Sequence, residues 1–362
     1  MGDINKNSRR NRFMRKIRIG DKLVGDNEPV FIVAEAGVNH NGNVALGKKL
    51  IDLAKNAGAD AVKFQTFKAE KIVTKYAEKA GYQKETTGLY ELQYEMLKKL
   101  ELKDEEFMEL FNYAKKSNII FLSSAFDRES IDLLNDLGVS AFKIASGEIT
   151  NFPLLNYIAE KGKPVILSTG MSTLDEIGDA LTVIRESGTE DIVLLHCVTS
   201  YPAKKEELNL RVIETLRQRF KLPVGFSDHT FGITIPLAAA ALGAVLIEKH
   251  FTLDKNLPGP DHKASLEPNE LKEMIKAIRD VEKALGNGVK KLTKQEKEIR
   301  KNVRRSVVAK VKISKGTIIS EEMLDIKRPG IGIEPKHLNK IIGKRAKKNM
   351  EPDELITFEN LA

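Results

Sequence analysis

Short apolar runs recur along most of the chain, and each is followed by a longer amphipathic stretch with the period of a helix. This alternation predicts a parallel sheet, because each crossover has to return the chain to the same edge of the sheet. Eight such units predict a closed (β/α)8 TIM barrel of the α/β class, with its chemistry at the C-terminal ends of the strands. The predicted strands are Phe31–Gly37, Ala61–Phe67, Ile119–Phe126, Ala141–Ser146, Pro164–Gly170, Ile192–Val198, Pro223–His229 and Leu246–Thr252.

Start and stop signals flank several of the predicted helices. Thr173 and Glu176 have the spacing of a capping box, and Ala57-Gly58 is typical of a helix end. The connection between the second and third strands, about residues 68–118, is longer than an ordinary crossover. We expect part of this insertion to lie over the active site.

The pattern differs at both ends of the barrel. Residues 1–29 predict a basic arm and then a hairpin, Ile17–Leu23, whose turn is Gly20-Asp21 and which could close the N-terminal mouth of the barrel. Residues 30–289 form the predicted barrel. Residues 290–305 are highly charged and lack Gly and Pro, so they predict a linking helix.

A small second domain is predicted for residues 306–362. Its strand-like runs, turns and short helical pieces follow one another without the spacing of the β/α units. The strands are Ser306–Val311 and Leu355–Phe358, the turns are Lys315-Gly316 and Pro329-Gly330, and the helical pieces lie near Glu321–Leu324 and Pro335–Ile342.

Composition narrows the class of protein. The 362 residues are 41% hydrophobic, and they contain neither a long uncharged apolar run nor a secretion signal, so we expect a cytoplasmic protein and no membrane partner. The single cysteine, Cys197, fits a reducing compartment. A net charge of +8 could indicate a nucleic-acid partner, but the basic residues are scattered and Trp is absent, so none is expected. An anionic small-molecule substrate explains the charge equally well. The basic residues around Met14 predict a disordered arm or an over-extended start, and they are Arg9, Arg10, Arg12, Arg15 and Lys16.

Polar residues interrupt the apolar runs near the C-terminal ends of the strands. A strand that is buried on both faces should be apolar throughout, so these interruptions are informative. Strand parity puts Val33 and Glu35 on one face of the first strand, and Lys63 and Gln65 on one face of the second. The matching candidates elsewhere are Ser124, Lys143, Ser168, His196, Ser227, His229, Glu248 and His250. If they point inward, they converge at one mouth of the barrel.

Each candidate also has a purely structural explanation. Isolated serines at strand ends often form turns or helix caps, and a lone buried histidine such as His196 is often a satisfied core residue. Buried charges are costly unless they are paired or used, which favours a function for Glu35, Lys63, Lys143 and Glu248.

Two histidines end consecutive strands and could share an ion. His229 and His250 would suit a divalent metal acting as a Lewis acid, although paired histidines can also hydrogen-bond each other. Asp228 and Asp261 lie near enough in sequence to orient the ligands or to act as a base.

Lysines inside a barrel are compatible with two chemistries. Lys63 or Lys143 could form a Schiff base with a substrate, which needs a less basic amine. Alternatively, both could bind a phosphate or carboxylate together with amides near Gly147-Glu148 and Gly170-Met171-Ser172. The serines at neighbouring strand ends favour the second chemistry.

These residues belong to strings that resemble the bacterial sialic acid synthases. The match runs in order from about residue 30 to the C-terminus, where Ile326–Gly330 resembles the antifreeze-like (SAF) module of those enzymes. The matching strings are Ala34–Gly42, Val62–Thr66, Lys143–Glu148, Leu167–Met171, Phe226–Thr230, Glu248–Thr252 and Gly259–Leu266.

The resemblance implies a reaction and a set of roles. Members of the family condense phosphoenolpyruvate with an N-acetylated hexosamine, such as N-acetylmannosamine, to a nine-carbon 2-keto acid and phosphate. By resemblance, His229 and His250 hold a divalent metal, Mn²⁺ first and Mg²⁺ or Co²⁺ as alternatives. The residues implied for the phosphoenolpyruvate site, with Gln65 as a further substrate contact, are Lys63, Ser124, Lys143, Ser146, Ser168 and Ser227.

The sugar is implied to meet residues from two subunits. Glu35, Tyr201 and Asp261 come from the barrel, and Arg328 comes from the tail of the partner in a domain-swapped homodimer. Glu35, Lys63, Lys143 and Asp261 are the implied catalytic residues, with Glu35 holding the sugar and exchanging a proton.

The choice of sugar stays open at this level. N-acetylneuraminate synthase is the leading prediction, and a legionaminic or pseudaminic acid synthase that uses a diacetamido sugar is the alternative. The strings Tyr82-Gln83 and Gln93–Leu100 look more like the neuraminate and legionaminate branches. Thr199 stands where some N-acetylneuraminate synthases have asparagine, and Ser124-Ala125 stands in place of a Thr-Pro pair. Both differences could alter sugar preference. A Schiff-base aldolase and a non-catalytic sugar-binding protein are the remaining alternatives.

Overall fold

The computed structural model describes residues 14–362, so Arg9, Arg10 and Arg12 of the predicted basic arm lie outside the described residues. The described chain begins with an antiparallel hairpin, β1 (Ile17–Ile19) and β2 (Lys22–Val24), as predicted. Ile17, Ile19 and Val24 are buried in one apolar cluster with residues from the lower ends of the barrel strands, among them Val33 and Leu122. The hairpin therefore closes the N-terminal end of the barrel.

Eight parallel strands form a closed barrel in chain order, with the last strand paired to the first. This confirms the predicted (β/α)8 fold, and each strand lies within or matches its predicted run. The strands are β3 (Phe31–Gly37), β4 (Ala61–Thr66), β5 (Ile120–Ala125), β6 (Phe142–Ile144), β7 (Val165–Ser168), β8 (Ile192–Cys197), β9 (Val224–Asp228) and β10 (Leu246–His250).

One helix after each strand packs on the outward-facing apolar residues of the barrel in one large core. The long insertion between β4 and β5 contributes four helices, α2 to α5, of which only α5 belongs to that outer layer. The helices are α1 (Val44–Ala57), α2 (Ala69–Ile72), α3 (Gly81–Thr87), α4 (Gln93–Leu100), α5 (Asp104–Lys116), α6 (Arg128–Leu137), α7 (Phe152–Ala159), α8 (Leu174–Glu186), α9 (Val212–Phe220), α10 (Thr234–Ala241) and α11 (Pro268–Leu285).

The predicted helix signals are present. Thr173 caps α8 by accepting from the backbone N–H of Glu176, whose carboxylate accepts from the backbone N–H of Thr173 in return. Gly58 ends α1 in the left-handed conformation, at φ 90°, where a residue with a side chain would be strained. No helix among residues 14–362 is both long enough and apolar enough to cross a membrane.

The chain divides into two compact units, one ending at Gly286 and the other formed by Asn287–Ala362. The second unit begins with α12 (Lys294–Val303) and has its own apolar core, which includes Val307, Ile341 and Met350.

The strands of this unit differ from the prediction. β11 (Ser306–Ala309) pairs antiparallel with β12 (Leu324–Lys327), a strand that was not predicted. The predicted strand Leu355–Phe358 is reduced to one bridge, from Leu355 to Val308. The helical piece predicted near Glu321–Leu324 is present as a short 3-10 helix, Glu321–Met323.

Candidate active site

A cavity of about 240 Å³ opens at the C-terminal ends of the barrel strands. It brings together all the barrel residues for which the resemblance implies a role, and Glu248 with them. Arg328, the remaining residue with an implied role, belongs to the second unit. The predicted residues that line the cavity are Glu35, Lys63, Gln65, Ser124, Lys143, Ser146, Ser168, Tyr201, Ser227, His229, His250 and Asp261.

Strand register explains why Glu35 and Lys63 meet. They are direct neighbours across β3 and β4, and His250 pairs with Glu35 from the other side. The Lys63 ammonium lies 2.7 Å from a carboxylate oxygen of Glu35 and donates to the hydroxyl of Ser124 at 3.1 Å. Burial raises the pKa of Glu35 to about 7, although Lys63 opposes the shift. Burial alone would lower the pKa of Lys63. The carboxylates of Glu248 and Glu35 have the larger combined effect, so the pKa is raised.

Glu248 links the two buried lysines. Its carboxylate lies 3.8 Å from the ammonium groups of both Lys63 and Lys143, and it accepts from Ser227 at 3.0 Å. Burial would raise the pKa of Glu248, yet the two lysines outweigh that effect and lower it. Glu248 therefore belongs to the charged centre of the cavity, although sequence reasoning gave it no specific role.

Lys143 is the less basic of the two lysines. It donates to Ser168 at 2.8 Å and to the carbonyl of Ile144 at 3.2 Å. Burial lowers the pKa of Lys143, and the positive charge of Lys63 lowers it further. The carboxylate of Glu248 raises it, but not enough to reverse the shift. A lowered pKa is what a Schiff-base lysine requires, so Lys143 is the better candidate for that alternative chemistry.

A corner rich in hydroxyl and amide groups lies beside Lys143. The hydroxyl of Ser146 accepts from the backbone N–H of Gly170 at 2.9 Å. A β-carbon on Gly170 would lie 2.2 Å from the hydroxyl of Thr199 and 2.8 Å from that of Ser146, so only glycine permits this approach. The corner can donate several hydrogen bonds to an anion.

The two candidate metal ligands face the same cavity, with ring centroids 5.6 Å apart. No hydrogen bond joins the rings among the described residues. Nδ1 of His229 pairs with the carbonyl of Val198 at 2.8 Å, and Nδ1 of His250 is buried without a partner.

These observations test whether a metal fits. Nδ1 of His229 donates its hydrogen to the carbonyl of Val198, so Nε2 keeps a lone pair that can bind a metal. Nδ1 of His250, which has no hydrogen-bond partner, can supply a second lone pair. Residues 14–362 contain no group of three or more His, Cys, Asp or Glu side chains arranged to hold an ion. The pair therefore fits an ion that is held by two protein ligands and completed by substrate or water.

An aromatic stack covers the histidines. The ring centroid of Tyr201 lies 4.0 Å from that of His229. The ring of Tyr82 stacks on Tyr201, with a distance of 5.0 Å between the ring centroids. Burial raises the pKa of the nearby Asp261 to about 6, against the effects of His229 and Lys63.

Sequence reasoning missed Tyr82, and also Gln83, as cavity residues. Both lie on α3 in the insertion, so the length of the insertion was the signal that could have found them.

His196 does not reach the cavity, so its inclusion among the inward candidates was wrong. Val193 and Leu195 belong to the inner cluster, which puts Cys197 on the inner face of β8 and His196 on the outer face. Nε2 of His196 lies 2.6 Å from the carbonyl of Leu208, as expected of a satisfied core histidine. Because β8 is apolar on both faces, the sequence did not reveal its parity.

Asp228 is also turned away from the histidines. Its carboxylate lies 2.6 Å from the fully buried ammonium of Lys249 and accepts from the backbone N–H of Thr230 at 3.0 Å. The prediction that Asp228 orients a metal ligand or acts as a base was therefore wrong. The ion pair instead joins β9 to β10 behind the cavity.

Comparisons with known proteins agree on one family. The NeuB family model matches residues 50–290, and the SAF domain model matches residues 304–362. The chain is 55% identical to the N,N'-diacetyllegionaminic acid synthase of Campylobacter jejuni, over 90% of this chain and 98% of that protein. It is 48% identical to the enzyme of the same name from Legionella pneumophila, over 96% and 98%.

A solved structure is similar as well. The N-acetylneuraminic acid synthetase of Leptospira borgpetersenii, in complex with citrate, superposes with a TM-score of 0.72 at 37% identity. The match covers 79% of this chain and 95% of that structure.

Proposed function

Because the chain belongs to the NeuB family and ends in a SAF domain, we propose that it condenses phosphoenolpyruvate with a 2,4-diacetamido-6-deoxy hexose, as a legionaminic acid synthase. The family consists of phosphoenolpyruvate-dependent condensing transferases. The acceptor is chosen on the 55% identity with the Campylobacter jejuni synthase, against 37% with the Leptospira synthetase. N-acetylmannosamine, the acceptor expected from the motifs alone, becomes the second candidate, and the sugar that leads to pseudaminic acid becomes the third.

The donor is assigned to the charged centre of the cavity. Phosphoenolpyruvate carries a phosphate and a carboxylate, and the buried ammonium groups of Lys63 and Lys143 complement them. Ser124, Ser146 and Ser168 supply hydrogen bonds to the same anion, as does Ser227, which the motifs assign to this site.

The acceptor is assigned to the rim. Tyr201 and Asp261 lie in loops beyond the strand ends, while Glu35 and Gln65 reach up from β3 and β4. A hydrogen bond of 3.3 Å from Gln65 to Glu35 holds the two polar groups together. They would bind and orient the hydroxyl and acetamido groups of the sugar.

The reaction joins C3 of phosphoenolpyruvate to the aldehyde carbon of the open-chain sugar. Water then adds at C2, and the resulting hemiketal phosphate loses phosphate, whose charge Lys63 and Lys143 stabilise. Glu35, with a pKa of about 7, can hold or release a proton near neutral pH, as can Asp261 at slightly lower pH. A divalent ion, Mn²⁺ first with Mg²⁺ or Co²⁺ as alternatives, would be held by His229 and His250 and would polarise the aldehyde.

A domain-swapped homodimer is part of the proposal. Arg328 in the SAF domain would reach the sugar in the cavity of the partner subunit, as the motif in the tail implies. Its guanidinium would add a planar hydrogen-bond donor to the rim.

Phosphate release from phosphoenolpyruvate tests the proposed function. The purified protein is assayed with each of the three acceptors, with and without a chelator, and then with added Mn²⁺. We expect the highest kcat/KM with the 2,4-diacetamido-6-deoxy mannose-type sugar, loss of activity in chelator and recovery with Mn²⁺.

Each part of the proposal can fail separately. A preference for N-acetylmannosamine would refute the acceptor, and full activity in chelator would refute the metal. A substrate adduct on Lys143 after borohydride treatment would favour the Schiff-base aldolase instead.

A further inference from the structure

One side of the cavity is apolar, although both proposed substrates are polar molecules. Residues from α4 and from the loops after β3 and β5 form this surface, here called the apolar wall. Its members are Val38, Met96, Leu97, Leu100 and Phe126. None of these side chains can donate or accept a strong hydrogen bond.

The apolar wall is fixed in place by packing. Val38, Met96 and Leu100 are buried in one cluster with Phe67, and this cluster anchors α4 on the barrel. Leu97 packs against the cluster but keeps part of its surface exposed while it lines the cavity. The wall is therefore preformed rather than dependent on a ligand.

The donor does not account for this surface. The lysines and serines that suit its phosphate and carboxylate come from the barrel strands and the turn after β6, whereas three of the five wall residues come from α4 in the insertion. A hydroxyl group placed against the wall would lose its water without gaining a hydrogen bond. A methyl group there would gain from leaving water.

We propose that the apolar wall binds the methyl-bearing groups of the acceptor and selects a deoxy, doubly acetylated hexose over N-acetylmannosamine. This inference rests on the proposed function. A 2,4-diacetamido-6-deoxy hexose has a methyl group at C6 and a second acetamido methyl on the substituent at C4, where N-acetylmannosamine carries hydroxyl groups. One methyl in an apolar pocket is worth roughly a tenfold preference or more.

The test compares the two acceptors in each variant. The ratio of their kcat/KM values is measured for wild type, Leu97→Ser and Leu97→Met. A loss of folded protein lowers both values equally, so it leaves the ratio unchanged. We expect Leu97→Ser to lower the preference for the deoxy sugar roughly tenfold, and Leu97→Met to keep it.

Met108→Ser is the matched control, because Met108 is a half-exposed apolar residue on α5 that does not line the cavity. It should keep the wild-type ratio. The KM for phosphoenolpyruvate should be unchanged in all three variants.

The outcomes separate this inference from the proposed function. Normal wild-type turnover of the deoxy sugar with an unchanged ratio in Leu97→Ser would overturn the role of the wall alone. Wild-type turnover of N-acetylmannosamine only would overturn the wall and the choice of acceptor. Turnover of neither sugar would refute the proposed function, and the role of the wall with it.

Discussion

Four charged side chains meet in the cavity and are almost completely buried. Glu35 and Lys63 are 1% and 2% exposed, and Lys143 and Glu248 are 3% and 5% exposed. Two positive and two negative charges balance when both carboxyl groups are ionised. Protonation of Glu35 leaves one positive charge in excess, which favours an anionic ligand.

The pKa of Glu35 has a consequence for stability. In the unfolded chain this carboxyl group is already ionised near pH 7, whereas in the folded protein it still binds a proton up to a pKa of about 7. Stability from this group is therefore present at low pH and is lost as the pH rises through 7.

Glu35→Gln should remove this loss. Between pH 6 and pH 8 in chelator, we expect the free energy of unfolding of wild type to fall relative to Glu35→Gln by about 1 kcal/mol. Urea unfolding at several pH values measures the difference. Parallel curves for the two proteins would contradict a raised pKa for Glu35.

The sequence predicted most site residues because they are polar where a buried strand should be apolar. Glu35, Lys63 and Lys143 stand out on this ground alone. The same criterion fails for β8, where the polar residue does not point into the barrel. His196 is polar but faces the helices, whereas Cys197, which is not charged, lines the cavity. The length of the insertion predicted that part of it lies over the site, but which of its residues reach the cavity depends on tertiary packing, so Tyr82 was not singled out.

At the scale of elements, the segment 77–93 of the insertion is closed at its base. The ammonium of Lys79 is buried, donates to Thr87 at 2.9 Å and lies 3.6 Å from Glu91. The backbone N–H of Gln93 donates to the carbonyl of Ala77 at 3.1 Å. These contacts hold α3, and with it Tyr82, over the cavity.

Replacing Lys79 should loosen this segment. Lys79→Met keeps an apolar chain of similar length but removes the buried donor, so we expect amide exchange in the segment to accelerate roughly 5- to 30-fold. Hydrogen exchange read by mass spectrometry measures it. Lys84→Met is the control, because Lys84 makes an exposed ion pair with Glu78 on the same segment, and exposed pairs contribute little. Equal exchange in both variants would show that Lys79 does not hold the segment.

The regular β/α alternation made the barrel predictable, because strand and helix periods differ and each crossover is long enough to read. Even β6, with three residues, falls within its predicted run. The second unit was less predictable, since its elements are short and several of its segments are joined only by isolated bridges. β12 was missed because Leu324–Lys327 pairs with a strand distant in sequence, and local pattern does not encode that pairing.

At the scale of the whole molecule, each of the two units has its own apolar core. The proposed function nevertheless requires both units, with Arg328 acting on the cavity of the partner. Residues that complete a site from another subunit can be tested by mixing subunits with different defects.

Lys143→Ala and Arg328→Ala should each abolish most activity, and mixed dimers of the two should regain it in part. In a mixed dimer, the Arg328→Ala barrel is completed by the intact tail of its partner. One of the two sites in each mixed dimer is then functional, so mixed dimers isolated through two affinity tags should show about half of the wild-type activity. Coexpression with two affinity tags and the phosphate-release assay measure the recovery.

The matched control pairs Arg328→Ala with a chain that carries both substitutions, which should recover nothing. If the mixture of single variants also recovers nothing, Arg328 acts within its own chain or not at all.

Because the hairpin fills the N-terminal end of the barrel, substrates would enter the cavity from the C-terminal ends of the strands. Lys63 and Lys143 lie within strands, and Tyr201 and Asp261 lie in loops beyond the strand ends. With the donor at the lysines and the acceptor at the rim, as proposed, the sugar would block the path of a donor that arrived second. Binding would then follow a compulsory order, and the phosphate formed beneath the nine-carbon acid would leave last.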